Sequence, residues 1–279
     1  MKEERVAVLD NVAETSLITL YVRAKETQSK NPILRDEKAV MMVQSIDYDF
    51  KRLAKKLHGH DYVMISLRVK RFDEYVHDFL ARHPDGVVVS IGCGLDDRFS
   101  RIDNQQVMFY DLDLPEVIAV RRQLLSESER NQFIASSALE SAWMDELQTH
   151  QPKHFLFIAE GVFPYFFESE VKILLQQLSE RFPGAEMAFD VSSSFMVKRM
   201  SRHGGLKQTT ASIHWGIRRS SEIEGLCPGP KFLDDWYYFD KWEKRFGFFN
   251  LLGKLSLIKN MMRIVHYQLS RNDTDALPT

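Results

Sequence analysis

The spacing of apolar residues predicts helices over the first part of the chain. Apolar residues recur at near-helical spacing in segment 12–26 and again in segment 63–80. The pattern stops at the turn sequence HPDG at 83–86, where glycine and proline break regular structure. Residues 1–82 are therefore predicted to form a helical N-terminal extension.

After this turn, short apolar runs alternate with helical segments. The first run, Val87–Ile91, is β-branched and uninterrupted, as expected for a parallel strand buried on both faces. Further strands are predicted at 107–112, 132–135, 154–159 and 186–191, with helices at 115–125, 142–147 and 171–181. Strands that alternate with helices indicate an α/β fold with a mostly parallel sheet.

The last third of the chain has a different pattern. Residues 195–240 lack clean periodicity and contain several Gly, Ser and Pro, which favours a cap or lid insertion. Segment 246–260 is predicted as a helix and segment 262–269 as a final strand. We therefore predict a single domain with a helical extension, a ligand-binding core at 83–194, a cap at 195–240 and a C-terminal helix and strand within 241–279.

Polar residues follow the predicted strands where ligands bind in open α/β sheets, beyond the carboxyl ends. Gly92 and Gly94 form a G-x-G turn after the first strand, and Asp113 lies 19 residues after Gly94 at the end of the next strand. Such glycines let the backbone approach a ligand, and the acid can accept from ribose hydroxyls. The third glycine of the dinucleotide fingerprint is missing, so a nucleoside without phosphate, such as S-adenosylmethionine, fits better than NAD.

Composition narrows the class of protein. The 279 residues carry 37 Lys and Arg against 39 Asp and Glu, a formal charge of -2, which argues against a nucleic-acid binder. Cys93 and Cys227 are too few for a disulfide framework, and His203, His214 and His266 show no metal-ligand spacing. The charged start MKEERVAVLDN and the absence of a long apolar run argue against a signal peptide and a membrane span. We expect a cytoplasmic enzyme without a metal.

Four motifs stand in order along the chain: LRVKRFDEYVHDFL, VVVSIGCGLDDRFSRID, YDLDLPEVIAVRRQLL and FIAEGVFPYF. They resemble those of the leucine carboxyl methyltransferase family, particularly its bacterial branch related to tetracenomycin-type polyketide O-methyltransferases, and the resemblance runs from about Thr15 to about Tyr165 and more thinly to the end. It implies a Rossmann-like class I methyltransferase fold, a seven-stranded sheet with an antiparallel last strand, and S-adenosylmethionine as the methyl donor.

The resemblance also implies roles for individual residues. Gly92 and Gly94 would line the methionine part of the donor, and Asp113 would hold its ribose. Arg68 would bind the donor carboxylate, to which a planar guanidinium is suited, and Glu160 would accept from the donor amino group. The adenine ring would contact Ser137, Ala138 and Leu139.

The acceptor is less defined by the sequence. The resemblance implies O-methylation of a small metabolite, with a hydroxyl or a carboxyl as acceptor, and a protein C-terminal carboxylate is a further possibility by family analogy. A phenol would benefit from a base, for which His214 is the candidate. Aromatic residues between 163 and 238 are candidates for the walls of a pocket for a flat, polyketide-like acceptor.

Two alternatives stay open at the level of sequence. A nicotinamide-dependent oxidoreductase shares the glycine turn and the acid, although the missing glycine argues against it. A donor-binding protein without turnover would act through its surface, and the apolar run FGFFNLLGKLSLIKNMMR, at 246–263, would then contact a partner or a membrane surface. The oligomeric state does not follow from the sequence.

Overall fold

The computed structural model describes residues 6–7, 14–150, 153–197, 213–240 and 242–270. Parts of all four predicted regions therefore lie outside the described residues: the start of the N-terminal extension, residues 151–152 of the predicted core, segment 198–212 of the predicted cap, and residues 241 and 271–279. Within the described helices, none combines the length and the apolar character needed to cross a lipid bilayer.

The N-terminal extension is mainly helical, as predicted. Its elements are β1 (Val6–Ala7), α1 (Glu14–Thr27), α2 (Glu37–Ser45), β2 (Ile46–Asp47), α3 (Phe50–Ala54) and α4 (Gly59–Arg82). Asp36 and Asp49 are the N-cap residues of α2 and α3, and their side chains accept hydrogen bonds from backbone N–H groups of the first turn. The short parallel pair of β1 and β2 was not anticipated from the helical spacing.

Seven strands of the described chain form one sheet, in the order β5-β4-β3-β6-β7-β9-β8. They are β3 (Val87–Ile91), β4 (Met108–Asp113), β5 (Asn131–Ala135), β6 (Phe155–Ala159), β7 (Glu186–Ser192), β8 (Pro230–Tyr237) and β9 (Met262–Leu269). Strands β3 to β7 pair in parallel, whereas β9 runs antiparallel to both β7 and β8. The antiparallel last strand expected from the family resemblance is confirmed.

Helices cover both faces of this sheet. Those that follow β3 are α5 (Phe99–Ile102), α6 (Pro115–Leu124), α7 (Ala142–Leu147), α8 (Glu168–Arg181), α9 (Glu222–Leu226), α10 (Phe249–Leu252) and α11 (Ser256–Lys259). On one face, Phe72 and Phe79 of α4 pack with Val88 and Phe109 in a buried cluster. On the other face, α7 and α8 bury apolar side chains against the central strands. Burial of both faces explains why the strands are nearly continuous apolar runs.

The prediction of a cap over all of 195–240 is wrong for its last part. Residues Pro230–Tyr237 form β8, the edge strand of the main sheet. This strand pairs with β9, and the register shifts between Phe232 and Asp234. An edge strand is partly exposed, and here it contains Asp234 and Asp235, so it lacks the apolar run by which the inner strands were recognised.

The predicted C-terminal helix at 246–260 is also wrong as a single element. The structure has a 3-10 turn at 244–246 followed by the short helices α10 and α11. Gly247 has a positive φ of 51°, which interrupts the helical path, and Gly253 ends α10. The final strand, in contrast, begins and ends where the sequence predicted.

A polar cluster joins α4 to the antiparallel end of the sheet. His266 on β9 contacts Glu186 on β7 through Nε2 at 2.9 Å, and its Nδ1 lies 3.4 Å from Asp234 of β8. Arg82 of α4 donates two hydrogen bonds to the Glu186 carboxylate. Burial alone would raise the pKa of Glu186, but the hydrogen bonds from His266 and Arg82 outweigh it and lower this pKa to about 2.

The same contacts act on His266 in the opposite direction. Burial opposes its protonation, yet the hydrogen bonds to Asp234 and Glu186 raise the pKa of the imidazole. A raised pKa stabilises the fold below the unfolded value of about 6.5, and this contribution is lost as the pH rises through the folded value. The depressed pKa of Glu186 stabilises the fold above an unfolded value of about 4.5 and fails as the pH falls towards about 2.

We predict that His266→Gln lowers the free energy of unfolding by about 1.5–3 kcal/mol near pH 5.5 and by less near pH 8.5, because the charge-assisted bonds exist mainly when His266 is protonated. Urea denaturation at both pH values measures the difference. His77→Gln, at an exposed position of α4, is the matched control and should change neither value. A deficit for His266→Gln that is the same at both pH values would contradict the prediction.

Candidate active site

A cavity of about 240 Å³ lies at the carboxyl ends of β3 and β6. Helices α1 and α4 form its other walls, through Thr15, Ser16 and Thr19 from the first and Ile65 and Arg68 from the second. The cavity thus lies between the N-terminal extension and the edge of the sheet at which ligands are expected. The turn at Gly92 and the acid at Glu160 are also part of its lining.

The glycine turn and Asp113 are brought together as the sequence predicted. Gly92 and Gly94 have φ angles of 66° and 54°, a conformation that favours glycine. The backbone N–H of Gly94 donates to Oδ2 of Asp113 at 2.7 Å, and that of Leu114 donates to Oδ1 at 2.8 Å. Asp113 is thus fixed in orientation beside the turn, while lone pairs on both oxygens stay available for a ligand.

Arg121 of α6 donates hydrogen bonds to the backbone of the glycine turn. Its Nη1 donates to the carbonyl oxygens of Gly94 and Asp96 at 3.2 and 2.6 Å, and its Nη2 donates to Asp111 at 2.5 Å. The side chains of Arg121 and Asp111 are fully buried. The sequence analysis did not single out this arginine, because an arginine inside an amphipathic helix is usually a solvated residue.

Arg68 and Glu160 meet at the cavity. Arg68 donates from Nε to Glu160 at 2.9 Å and from Nη1 to Asp190 at 3.1 Å, and the other oxygen of Asp190 accepts from the N–H of Gly161 at 2.6 Å. Within the described residues, Nη2 of Arg68 has no protein hydrogen-bond partner. The guanidinium is therefore held in place by two acids and keeps donor capacity for a ligand.

The opposite oxygen of Glu160 accepts from Arg98 at 2.6 Å, which extends the site into a buried ionic network. Asp96 contacts Arg23, Arg98 and Arg101. Burial alone would raise the pKa of Asp96, but Arg101, Arg23 and Arg98 outweigh it and hold this pKa well below its usual range. The sequence analysis missed these residues.

Two further acids complete this network. Asp36 accepts from Arg23 at 2.8 Å and from Arg101 at 3.0 Å, and Asp73 of α4 pairs with Arg98 and Arg101. The N-terminal helices are thus bound to the segment after the glycine turn by ion pairs as well as by apolar packing. The dense alternation of acids and arginines in LDDRFSRID is the sequence signal by which this network could have been found.

The predicted adenine segment lies beside Asp113 and outside the lining of the cavity. Asp113 pairs with Ala135 in the sheet, and the N–H of Ser136 donates to the Asp113 carbonyl oxygen at 3.0 Å. Ser137, Ala138 and Leu139 follow directly along the chain. The cavity at Gly92 and the segment at 137–139 therefore lie on opposite sides of Asp113 along the sheet edge.

The structure does not place His214 in the cavity. Its ring is exposed and stacks on Phe167 with centroids 4.3 Å apart, and its N–H donates to the carbonyl oxygen of Pro164 at 2.8 Å. The neighbouring Trp215 is buried in the core, near Phe163 and Phe189. No contact of His214 in the described structure supports the role of a catalytic base that its position in the sequence suggested.

Cys93, between the two glycines, has the properties of a packing residue. It is buried, and burial raises the pKa of its thiol well above the usual value, so the thiol stays protonated. A protonated, enclosed thiol is a poor nucleophile. Cys93 therefore acts as a small residue that fills the tight turn.

Comparison with known protein families gives an independent result. The profile described as "Leucine carboxyl methyltransferase" matches residues 16–179 of this chain. This range includes all of the residues that line the cavity except Thr15.

Two curated relatives cover most of the chain. The tetracenomycin polyketide synthesis O-methyltransferase TcmP of Streptomyces glaucescens is 32% identical over 233 residues, which are 83% of this chain and 85% of the relative. The S-adenosyl-L-methionine-dependent methyltransferase dpfgK of Gibberella zeae is 27% identical over 244 residues, covering 81% and 82% of the two chains.

Among solved structures, a DUF574 family protein from Streptomyces avermitilis aligns with a TM-score of 0.57 at 12% identity, over 92% of this chain and 98% of that one. At this identity, the likeness concerns the fold alone.

We predict that Gly92→Ala destabilises the protein more than Gly184→Ala does. Both positions have a positive φ, so each alanine carries a backbone strain of about 1–2 kcal/mol. A Cβ at Gly92 would in addition clash with Cγ2 of Val162, whereas a Cβ at Gly184 would have no atom within 4 Å. The measurement is the free energy of unfolding in urea, and equal losses in the two variants would refute the close approach at Gly92.

Proposed function

The chain belongs to the leucine carboxyl methyltransferase family of S-adenosylmethionine-dependent methyltransferases, and we propose that it methylates an oxygen atom of a small molecule. The relative from Streptomyces glaucescens, whose name is that of a polyketide O-methyltransferase, supports oxygen as the acceptor atom and a polyketide-like metabolite as the acceptor class. The observation that carries the proposal is the cavity in which a glycine turn faces Arg68 and Glu160.

The groups around this cavity fit the amino-acid end of the donor. Arg68 keeps Nη2 for a carboxylate, and Glu160 has lone pairs left for an ammonium group after its bonds to Arg68 and Arg98. Gly161 has a positive φ of 70° and lies beside the Arg68 guanidinium, where an added Cβ would stand 3.6 Å away. We assign Arg68 to the donor carboxylate and Glu160 to the donor amine.

Asp113 fits the ribose of the donor. Its two oxygens are oriented by the N–H groups of Gly94 and Leu114, so the carboxylate can accept from two adjacent hydroxyls without reorganisation. We assign the segment Ser137, Ala138 and Leu139, on the far side of Asp113, to the adenine ring. The volume of about 240 Å³ then corresponds to the methionine end of the donor, and its nucleoside extends along the sheet edge.

Methyl transfer from a sulfonium depends on alignment of the reacting atoms more than on acid–base groups. When bound, S-adenosylmethionine supplies an electrophilic methyl group on a sulfonium, and an oxygen that attacks this methyl carbon in line with the carbon–sulfur bond would release the thioether. Arg68, Glu160 and Asp113 would fix the position of this methyl group, and α1 and α4 would exclude water from it. A carboxylate acceptor needs no base, and a phenol can ionise in solution near its own pKa, so the exposed position of His214 does not conflict with the proposal.

We predict that Asp113→Ala and Arg68→Ala each weaken the binding of S-adenosylmethionine by about 1.5–3 kcal/mol, roughly ten- to a hundred-fold, because each removes charge-assisted hydrogen bonds. Isothermal titration calorimetry measures the affinity. Asp103→Ala is the control, since Asp103 is an exposed acid that pairs with Arg130 away from the cavity. Unchanged affinity in both site variants, with correct folding shown by circular dichroism, would refute the assignment of the site.

We also predict turnover that depends on an acceptor. Incubation with labelled S-adenosylmethionine and a panel of phenols and carboxylic acids should release S-adenosylhomocysteine only when a suitable acceptor is present. Donor binding without turnover on any acceptor would favour the alternative of a non-catalytic donor-binding protein. A titration with NADH should show no binding, because the turn lacks the glycine that packs a helix over a pyrophosphate.

A further inference from the structure

A group of metal-ligating side chains lies at the start of α4, away from the cavity at the glycine turn. His58, Gly59, His60 and Asp61 are consecutive, so four residues of the chain supply two imidazoles and one carboxylate. Within the described part of the chain, the ligand atoms of the two histidines and Asp61 all lie within 4.8 Å of one another. None of these three residues lines the cavity at the glycine turn. Any role of the group is therefore separate from the proposed binding of the donor.

The distances within this group fit coordination of one ion. Nδ1 of His58 lies 3.5 Å from Oδ2 of Asp61, and Nε2 of His60 lies 3.4 Å from Oδ1 of the same carboxylate. Two ligand atoms that each lie about 2.0–2.2 Å from a zinc ion, at the tetrahedral angle, are about 3.3–3.6 Å apart. Each imidazole thus already stands at the distance from Asp61 that a shared ion requires.

The side chains of the group are held in place before any ion binds. The backbone N–H of His58, the N-cap residue of α4, donates to Oδ2 of Asp61 at 2.7 Å, and the carboxylate keeps further lone pairs for an ion. The ring of His60 packs against Phe249, with centroids 5.0 Å apart, and stacks on the ring of His58 at 5.5 Å. These contacts reduce the conformational entropy that ion binding would otherwise cost.

The residue types select the class of ion. Imidazole nitrogens are good ligands for Zn²⁺, Co²⁺, Ni²⁺ and Cu²⁺, whereas Ca²⁺ and Mg²⁺ prefer ligand sets made of oxygen atoms. Structural zinc sites have four protein ligands, whereas a site with two histidines and one carboxylate keeps a coordination position open. The group at His58, His60 and Asp61 therefore fits a divalent transition-metal ion with an open position.

The open position would face a second cavity. This cavity, of about 590 Å³, lies beside the start of α4, and both His60 and Asp61 line it. Its other walls include Met64 of α4 and Phe249 of α10. The side chain of His58 is 75% exposed and that of His60 is 36% exposed, so the ion would lie where the cavity meets solvent.

We propose that His58, His60 and Asp61 bind a divalent transition-metal ion, such as Zn²⁺, at the edge of this second cavity. Water completes the coordination of the ion, and an oxygen atom of a molecule in the cavity can replace this water. Asp61 and Arg68 are seven residues apart, about 10 Å along the helix, so the ion would lie apart from the groups assigned to the donor. The proposal goes beyond the proposed function, does not depend on it, and departs from the sequence-based expectation of an enzyme without a metal.

Metal binding is tested on the full chain without an affinity tag. Calorimetric titration with Zn²⁺, near pH 7.5 where most imidazole is neutral, should show about one equivalent bound. His60→Gln and Asp61→Asn should each weaken this binding at least about tenfold, because each removes one ligand. If Asp61→Asn fails to fold through loss of the contact with the His58 N–H, His58→Gln replaces it with the same expected loss. Absence of zinc binding in the unmodified protein would overturn the proposal.

Other histidines provide matched controls. His77→Gln changes an exposed histidine of the same helix, and His83→Gln changes one of two imidazoles, His83 and His154, whose rings stack with centroids 3.7 Å apart. Both variants should leave the zinc affinity unchanged within about twofold, because they lie far from the group along α4. Zinc affinity that falls in a control variant, or that persists in His60→Gln, would show an adventitious site elsewhere and would overturn the proposal.

Cobalt gives a second readout that a merely structural role of these residues would not produce. Titration with Co²⁺ should give visible absorption bands in the unmodified protein and not in His60→Gln. Azide, a small anionic ligand, should shift these bands, because it replaces the water at the open position. Bands that do not change with azide would show a closed site and would refute the open position at the cavity.

Discussion

The buried ionic network between the N-terminal helices and the sheet edge is the interaction on which the site depends. Arg23, Asp36 and Asp73 come from the helices, and Asp96, Arg98 and Arg101 come from the segment after the glycine turn. Since an unpaired buried charge is strongly unfavourable, these partners stabilise one another only when the helices are packed on the sheet. Packing of the extension on the sheet therefore also shapes the site. Glu160, which accepts from both Arg98 and Arg68, connects this network directly to the ligand cavity.

Helix α4 places residues at three separate sites along its length. Over its length it contributes Met64 to an apolar cavity, Arg68 to a charged one and Arg82 to the polar cluster at Glu186. Its apolar face, with Phe72 and Phe79, fixes its rotation against the sheet. A helix held in this way cannot change the position of one contact without changing the others, so the relative placement of the two cavities is determined by the core. The extension is thus part of the site and does not serve only as a cover.

The inner strands, the glycine turn and Asp113 could be predicted from the sequence because their signals are local. Val87–Ile91 is apolar since both its faces are buried, and Gly92 and Gly94 are needed for a positive φ. The edge strand β8 was missed because an exposed strand with two acids has no such pattern. The ionic network was missed because most of its pairs join residues far apart in sequence, such as Asp73 with Arg98 and Asp36 with Arg101, and no spacing rule reports which arginine meets which acid. His214 is the opposite case, a residue that the sequence suggested as a base. In the structure its ring is exposed, and the neighbouring Trp215 is packed in the core.

The balance of charge in the ionic network has a consequence for the exchange of ligands. Around Glu160, the five carboxylates of Asp36, Asp73, Asp96, Glu160 and Asp190 face the four guanidinium groups of Arg23, Arg68, Arg98 and Arg101, an excess of one negative charge. S-adenosylmethionine carries a sulfonium charge that S-adenosylhomocysteine lacks. In a site of low dielectric constant, a surplus of negative charge favours the cationic ligand over the neutral thioether. In the proposed donor site, the ion pairs that hold the helices in place would thereby also favour the donor over the spent cofactor.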